Sequence, residues 1–282
     1  MKRIGEKIVL EEKEKNGIKF LSFPSLEKTG IVRHLFSTRA GGVSEGIFSS
    51  MNLSFTRGDN PDSVLENYRR IAGVLECDME DFVCSDQTHT TNVRITGSKD
   101  AGKGVIREKD YTDVDGLITN EPGVVLATFY ADCVPLYFVD PVKKAIGLSH
   151  SGWRGTVNKM GLKTVRMMQE TYGTDPEDVV AAIGPSICMS CYEVGSEVAE
   201  EFLKAFPKRE EQKEILREKE NGKYILNLWK ANYFIMREAG IKEENISVTD
   251  ICTCCNGEEL FSHRQSQGKR GNLGAFLGLL KG

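Results

Sequence analysis

Apolar positions along this chain fall into two rhythms. Short apolar or β-branched runs at residues 18–23, 32–37, 82–85, 93–96, 116–119, 124–130, 135–139 and 145–150 are divided by Gly, Pro or Asp, and each has the length of a strand. From Pro61 the rhythm changes: apolar residues at 64, 65, 68, 71 and 72 recur with helical spacing, and a serine or aspartate stands ready to cap them. A second helix is predicted over 157–172, where Val157, Met160, Thr164, Val165, Met168 and Tyr172 share one face. Beyond it the pattern predicts a strand at 179–183, a helix at 197–206, a helix at 226–239 ended by Gly240, and a strand at 246–251. The order is mixed rather than regularly alternating, which predicts an α+β fold of packed mixed sheets flanked by helices. No internal repeat or low-complexity linker interrupts residues 1–282, so a single domain is the simplest organisation.

Length and charge narrow the functional classes. A chain of 282 residues can bury roughly 75% of the surface its unfolded form exposes, and needs no disulfide or metal to fold. A net charge of −4 with 28% charged residues gives no broad footprint for nucleic acid. The stretch 204–223 is dense in alternating charge and reads as a solvated excursion or exposed helix rather than a partner-binding arm. The longest apolar stretch, 124–139, is broken by Asp132 and Pro135 and is too short to span a bilayer. No signal-like apolar run follows Met1, so the expectation is a cytoplasmic protein with reduced thiols. Nothing in the sequence marks an oligomeric state.

Histidine is scarce, limited to His34, His89, His150 and His263, whereas cysteine occurs eight times. His89 follows one apolar run, Cys133 follows another, and His150 ends a third, and strand ends are where a scaffold presents side chains to a cleft. Two imidazoles and a thiolate suit Zn²⁺ and leave a fourth position for water or substrate. Their separations match no local zinc-finger spacing, and on spacing alone a small core cysteine is the commoner reading of Cys133. Gly152 and Gly155 bracket Trp153 and Arg154 at a strand-to-helix junction, which reads either as an anion site served by Arg154 or as a tight turn. Arg39 precedes the pair Gly41-Gly42, a loop with exposed backbone amides. Cys188 and Cys191 have the spacing of half a zinc site, and the run Cys252-Thr253-Cys254-Cys255 offers another half; redox thiols and mere proximity are the alternatives. His263 and Arg264 follow two apolar residues and read as pocket or loop residues, and His34 reads as structural.

Taken together, eight blocks resemble one family. They are residues 37–44 (Ser-Thr-Arg-Ala-Gly-Gly-Val-Ser), Asn52-Leu53-Ser54, Gln87-Thr88-His89, residues 131–135 (Ala-Asp-Cys-Val-Pro), residues 150–155 (His-Ser-Gly-Trp-Arg-Gly), residues 183–187 (Ile-Gly-Pro-Ser-Ile), Tyr192-Glu193-Val194 and Phe261-Ser262-His263-Arg264. In this order they resemble the laccase-domain family, also called the peptidoglycan editing factor or polyphenol oxidase-like family, in its purine nucleoside phosphorylase type. The resemblance implies a single α+β domain and a zinc site at His89, Cys133 and His150, with copper as the other metal attributed to the family.

It implies phosphorolysis of adenosine, inosine and methylthioadenosine, with adenosine deamination beside it. Purine nucleosides and phosphate are then the partners. On this reading Cys133, His89, His150 and Asp132 are the catalytic set, and Arg39, Asn52, Gln87, Arg154, His263 and Arg264 contact substrate. Asp132 would move protons or orient a neighbouring ligand. Two other classes stand beside it: a cysteine hydrolase or amidase editing peptidoglycan precursors, and a non-catalytic zinc-binding regulator. Four histidines cannot hold the several coppers of a multicopper oxidase. One position departs from the family pattern: its last block commonly carries Gly-Arg, where this chain reads Gly271-Asn272, leaving Arg270 or Lys269 to take over that duty.

Overall fold

A computed structural model of the chain describes residues 1–281. Two mixed six-stranded sheets form its centre. The first runs in the order Glu11–Lys15, Ile18–Ser22, Val32–Ser37, Leu273–Leu279, Val125–Tyr130, Phe82–Cys84. The second runs Ile246–Val248, Val180–Ile183, Val134–Asp140, Ala145–Ser151, Gly116–Thr119, Val93–Ile95. Most neighbours are antiparallel; Phe82–Cys84, Val93–Ile95 and Ile246–Val248 pair in parallel.

The sheets face one another, and side-chain alternation sorts each strand between two cores. Phe36, Leu126 and Leu277 of the first sheet meet Tyr137, Val139, Ile146 and Leu148 of the second in the shared interior. Their neighbours Leu35, Ala127 and Phe276 point the other way, against Val64, Tyr68 and Ile71 of helix Pro61–Leu75. On the far side, Leu136 and Phe138 pack with Val165 and Met168 of helix Met160–Tyr172 and with Ile235 of helix Leu228–Glu238. Helix, sheet, sheet and helix thus form successive layers of the expected α+β fold. Strands buried on both faces are the reason the central runs are continuously apolar rather than alternating.

The structure corrects several details. The first long helix is capped by Asn60, whose side chain accepts from the N–H groups of Asp62 and Ser63, and not by the following aspartate or serine. The helix predicted over 157–172 is two helices, Trp153–Val157 and Met160–Tyr172, because Lys159 adopts a left-handed φ of 61°. The charge-dense stretch folds into helix Arg209–Ile215 and a hairpin of Leu216–Glu218 with Tyr224–Leu226, anchored by buried Ile215 and Leu226. Strand Leu273–Leu279, at the middle of the first sheet, lacked a sequence signal. Its Gly, Ala and Leu content carries little strand propensity, yet a Cβ at Gly274 would lie 2.5 Å from the Phe276 ring.

His34 is structural, as expected. It is buried, and its Nε2 accepts the N–H of Phe23 at 2.8 Å, which requires the neutral ring. Burial pulls its pKa down to about 4, with Lys13 assisting and Glu27 opposing. The unfolded chain takes up this proton first, so the contribution is fully present above the ordinary histidine pKa and is lost as pH falls towards 4. Urea unfolding at pH 7 and pH 5 should differ by about 2 kcal/mol more in the native protein than in His34→Gln. Identical pH dependence in the two proteins would refute this.

Candidate active site

Three chain segments converge at one end of the two sheets. The chain leaves the first sheet at Tyr130, turns through Ala131-Asp132-Cys133 and enters the second at Val134. That turn places Asp132 at a left-handed φ of 88°. The ladder pairs Pro135 with His150, so Cys133 and His150 reach the same end of adjacent strands. His89 arrives from the loop after Phe82–Cys84, with its own φ at 67°.

Donor atoms of His89, Cys133 and His150 lie within 4.8 Å of one another. Cys133 Sγ is 3.9 Å from His89 Nε2, and the two imidazole rings meet edge to face with centroids 5.0 Å apart. His150 is buried, Cys133 partly exposed and His89 exposed, so the cluster has a closed side and an open one. The donor set fits a metal: two imidazoles and a thiolate bind Zn²⁺, and copper as well. Gly152 makes room for it, since a Cβ there would stand 2.7 Å from His89 Cδ2 and 3.2 Å from Cys133 Sγ.

Sequence reasoning missed Asp115, which organises the cluster. This fully buried carboxylate accepts from the N–H groups of Thr88, His89 and Thr90, from Thr90 Oγ1, and from His150 Nδ1 at 2.8 Å. It therefore fixes the backbone carrying one histidine and the ring of the other, leaving His150 Nε2 free as a donor. Its place immediately before the apolar strand Gly116–Thr119 is one that solvent-facing carboxylates also occupy, so no local signal marked it.

Charges inside the cluster sustain one another. Burial opposes ionisation of Cys133, but His150 and His89 outweigh it and bring the thiol down to about 6. Burial likewise opposes the charged form of His150, but Cys133 and Asp115 take its pKa up to about 9. Asp115, despite its burial, is held below the ordinary carboxylate range by His150 and by the backbone N–H groups. With no metal bound these shifts favour a thiolate beside an imidazolium, and a thiolate is the form that ligates metal or attacks an electrophile.

Two recesses share this cluster. One of about 390 Å³ is lined by Arg57, Gln87, Lys109 and Phe129; the other, about 340 Å³, by Trp153, Arg154, Ile187, Tyr192, His263 and Arg264. His89, Cys133 and Arg270 border both. Of the two residues left to take over the missing arginine's duty, Arg270 lines both recesses and Lys269 neither; the Arg270 guanidinium bonds the Asn272 side chain and the Gly271 carbonyl, and its buried Nε has no hydrogen-bond partner in the protein among the described residues. Burial, reinforced by Arg57, takes Arg270 down to about 10.

The predicted substrate contacts divide into two groups. Arg154, lying over Trp153 with 4.3 Å from its guanidinium to the ring centroid, joins His263 and Arg264 on the second recess, and Gln87 joins the first. Gln87 is also tied to the backbone of Phe129 through both ends of its amide. Arg39 and Asn52 line neither recess. The Arg39 guanidinium donates to the carbonyls of Ser49 and Gly257 and covers the Phe261 ring, while the Gly42 N–H is taken by Ser50 Oγ. Fully buried Asn52 ties Asp59 and Ser54 to the Asn272 N–H. Both Asp132 oxygens are engaged, one by Thr253 Oγ1 at 2.6 Å and the other by the Arg264 N–H at 2.7 Å. That carboxylate ties two loops of the second recess together.

No helix among the described residues is long and apolar enough to cross a membrane. Comparison with known proteins covers almost the whole chain. A Bacillus subtilis protein named purine nucleoside phosphorylase YlmD is 37% identical over 248 residues, 86% of this chain and 87% of that one. A protein of an unknown prokaryotic organism, named adenosine deaminase RL5, is 33% identical over 232 residues, 82% of this chain and 87% of its own. The crystal structure of the Bacillus licheniformis hypothetical protein YfiH superposes with a TM-score of 0.89 at 32% identity, covering 96% of this chain and 99% of that one. Residues 33–280 match the family model described as multi-copper polyphenol oxidoreductase laccase, and the chain belongs to that family.

Proposed function

We propose that this protein is a zinc-dependent purine nucleoside phosphorylase that accepts adenosine, inosine and methylthioadenosine, and that it also deaminates adenosine. One observation carries the reading: the cluster of His89, Cys133 and His150 opens onto two recesses of different character, with Arg270 bordering both. The names of the relatives support the same class of substrate.

In phosphorolysis the bond from C1′ to the purine nitrogen breaks, its electron pair leaves with the base, and a phosphate oxygen bonds to C1′. The protein must hold an anion beside C1′ and steady the departing base. Arg270 and neighbouring Arg57, both lining the first recess, supply the positive charge for phosphate. Tyr192, Trp153 and Ile187 offer flat and apolar walls for the purine. His263, kept below its ordinary pKa by burial and by Arg270, is neutral at pH 7 and can hydrogen-bond the base or ribose. Zinc, held by His89, Cys133 and His150, would supply Lewis-acid charge and an acidified water for the deamination. Asp115 keeps His150 oriented, and Asp132 positions the recess wall rather than transferring protons.

Incubation of the purified protein with each nucleoside, with and without phosphate, tests the reading. Base release that requires phosphate, with formation of the sugar 1-phosphate, is expected. Equal release without phosphate would overturn it. The closeness of the Cys133 sulfur to both imidazoles favours a second reading, a hydrolase in which Cys133 is the nucleophile and His150 or His89 its base. That enzyme would keep its activity after chelation and yield a trapped thioester.

A further inference from the structure

A second thiol cluster lies outside the catalytic centre. The parallel pair of strands Val180–Ile183 and Ile246–Val248 runs into two Cys-x-x-Cys turns, and a bridge between Ser186 and Cys252 continues the alignment. The sulfurs of Cys188, Cys191, Cys252 and Cys255 consequently lie within 4.8 Å of one another. Cys191 Sγ is 3.4 Å and Cys188 Sγ 4.0 Å from Cys255 Sγ. Neither is a disulfide, whose sulfurs stand about 2.05 Å apart. They bracket the edge of about 3.8 Å that four sulfurs make when each is about 2.3 Å from a central zinc. Cys252 Sγ also accepts the backbone N–H groups of Cys188 and Cys255, at 3.2 and 3.4 Å. Such donors offset negative charge on a sulfur, as a ligating thiolate requires.

We propose that Cys188, Cys191, Cys252 and Cys255 hold a single tetrahedral zinc ion with a structural role. Four protein sulfurs leave no open position for substrate or water, which separates this site from the three-donor catalytic cluster. Cys254, between two of the ligands in sequence, lies outside the set.

The bound ion would fix one wall of the second recess. Thr253, inside the second turn, holds Asp132, and Asp132 in turn holds the N–H of Arg264. Ile187, next to Cys188, donates its N–H to the Asp132 carbonyl. Tyr192 follows Cys191 directly and faces the recess, beneath the guanidinium of Arg264. Two loops far apart in sequence thereby gain a common anchor close to the chemistry.

The test reads metal content, so it does not depend on the proposed reaction. The double variant His89→Ala/His150→Ala, purified with zinc and without chelator, should retain one zinc per chain by native mass spectrometry. Loaded with cobalt, it should show the intense sulfur-to-metal charge transfer of a four-thiolate tetrahedral site. Adding Cys191→Ser and Cys255→Ser should remove that last equivalent. If those changes prevent folding, iodoacetamide mapping of the unaltered protein decides instead: the four cysteines should resist alkylation until a strong chelator is added. A folded double variant without zinc, iron in zinc's place, a disulfide among the four, or free alkylation would each overturn the proposal.

Discussion

On the proposed function, Cys133→Ala should lose zinc from the cluster it forms with His89 and His150 and slow phosphate-dependent base release by on the order of 10³-fold or more, about 4 kcal/mol of transition-state stabilisation. The change removes the one thiolate of the donor set and leaves two imidazoles, a much poorer site for zinc. It should cost the metal-free protein little stability, because Cys133 is partly exposed and only borders the shared interior, at the crossover between sheets. The melting temperature should therefore stay close to that of the chelated native protein while kcat/KM for inosine collapses. Chelation of the unaltered protein should reproduce the loss, and added zinc should reverse it; this distinguishes a ligand from a nucleophile. A variant with full rate and full metal content would rule out the assigned site.

Asp115→Ala should damage both stability and metal affinity. The carboxylate is the common acceptor for three backbone N–H groups, a hydroxyl and the His150 ring. Without it these donors have no partner in a buried position, and breaking a buried pair of this kind costs about 3–5 kcal/mol. Asp115→Asn keeps the shape but places an amide donor among donors, so zinc affinity should fall about 10–100-fold even where the fold survives. Urea unfolding reads the first effect and competitive zinc titration the second. Native-like values in both would mean that Asp115 does not organise the cluster.

These expectations differ in how visible their residues were before folding. His89, Cys133 and His150 could be picked out because histidine is rare in the chain and because each stands at the end of an apolar run. Asp115 could not, since nothing in one sequence tells a carboxylate that ties up three amides from one that faces water. Arg39 and Asn52 point the other way. They sit in the matching blocks, yet hydrogen bonds to the chain itself consume their side chains. Cys188 and Cys252 show the same dependence on tertiary distance: each Cys-x-x-Cys is a local pattern, and only the pairing of strands Val180–Ile183 and Ile246–Val248 makes the two into one cluster.

By itself the sequence determined the strands buried on both faces, the amphipathic helices and the scarcity of imidazole. These follow from composition and from periods of two and 3.6 residues, which act over short stretches. The tertiary structure decided which ends meet. Strand Leu273–Leu279 enters the first sheet with two glycines and no β-branched side chain, because its neighbours supply the packing that its own residues do not demand. The crossover at Asp132 then carries Cys133 from one sheet to the other, beside His150 and within reach of His89. Contacts between residues distant in the chain depend on register and on the turn between sheets, and no local pattern of side chains encodes either.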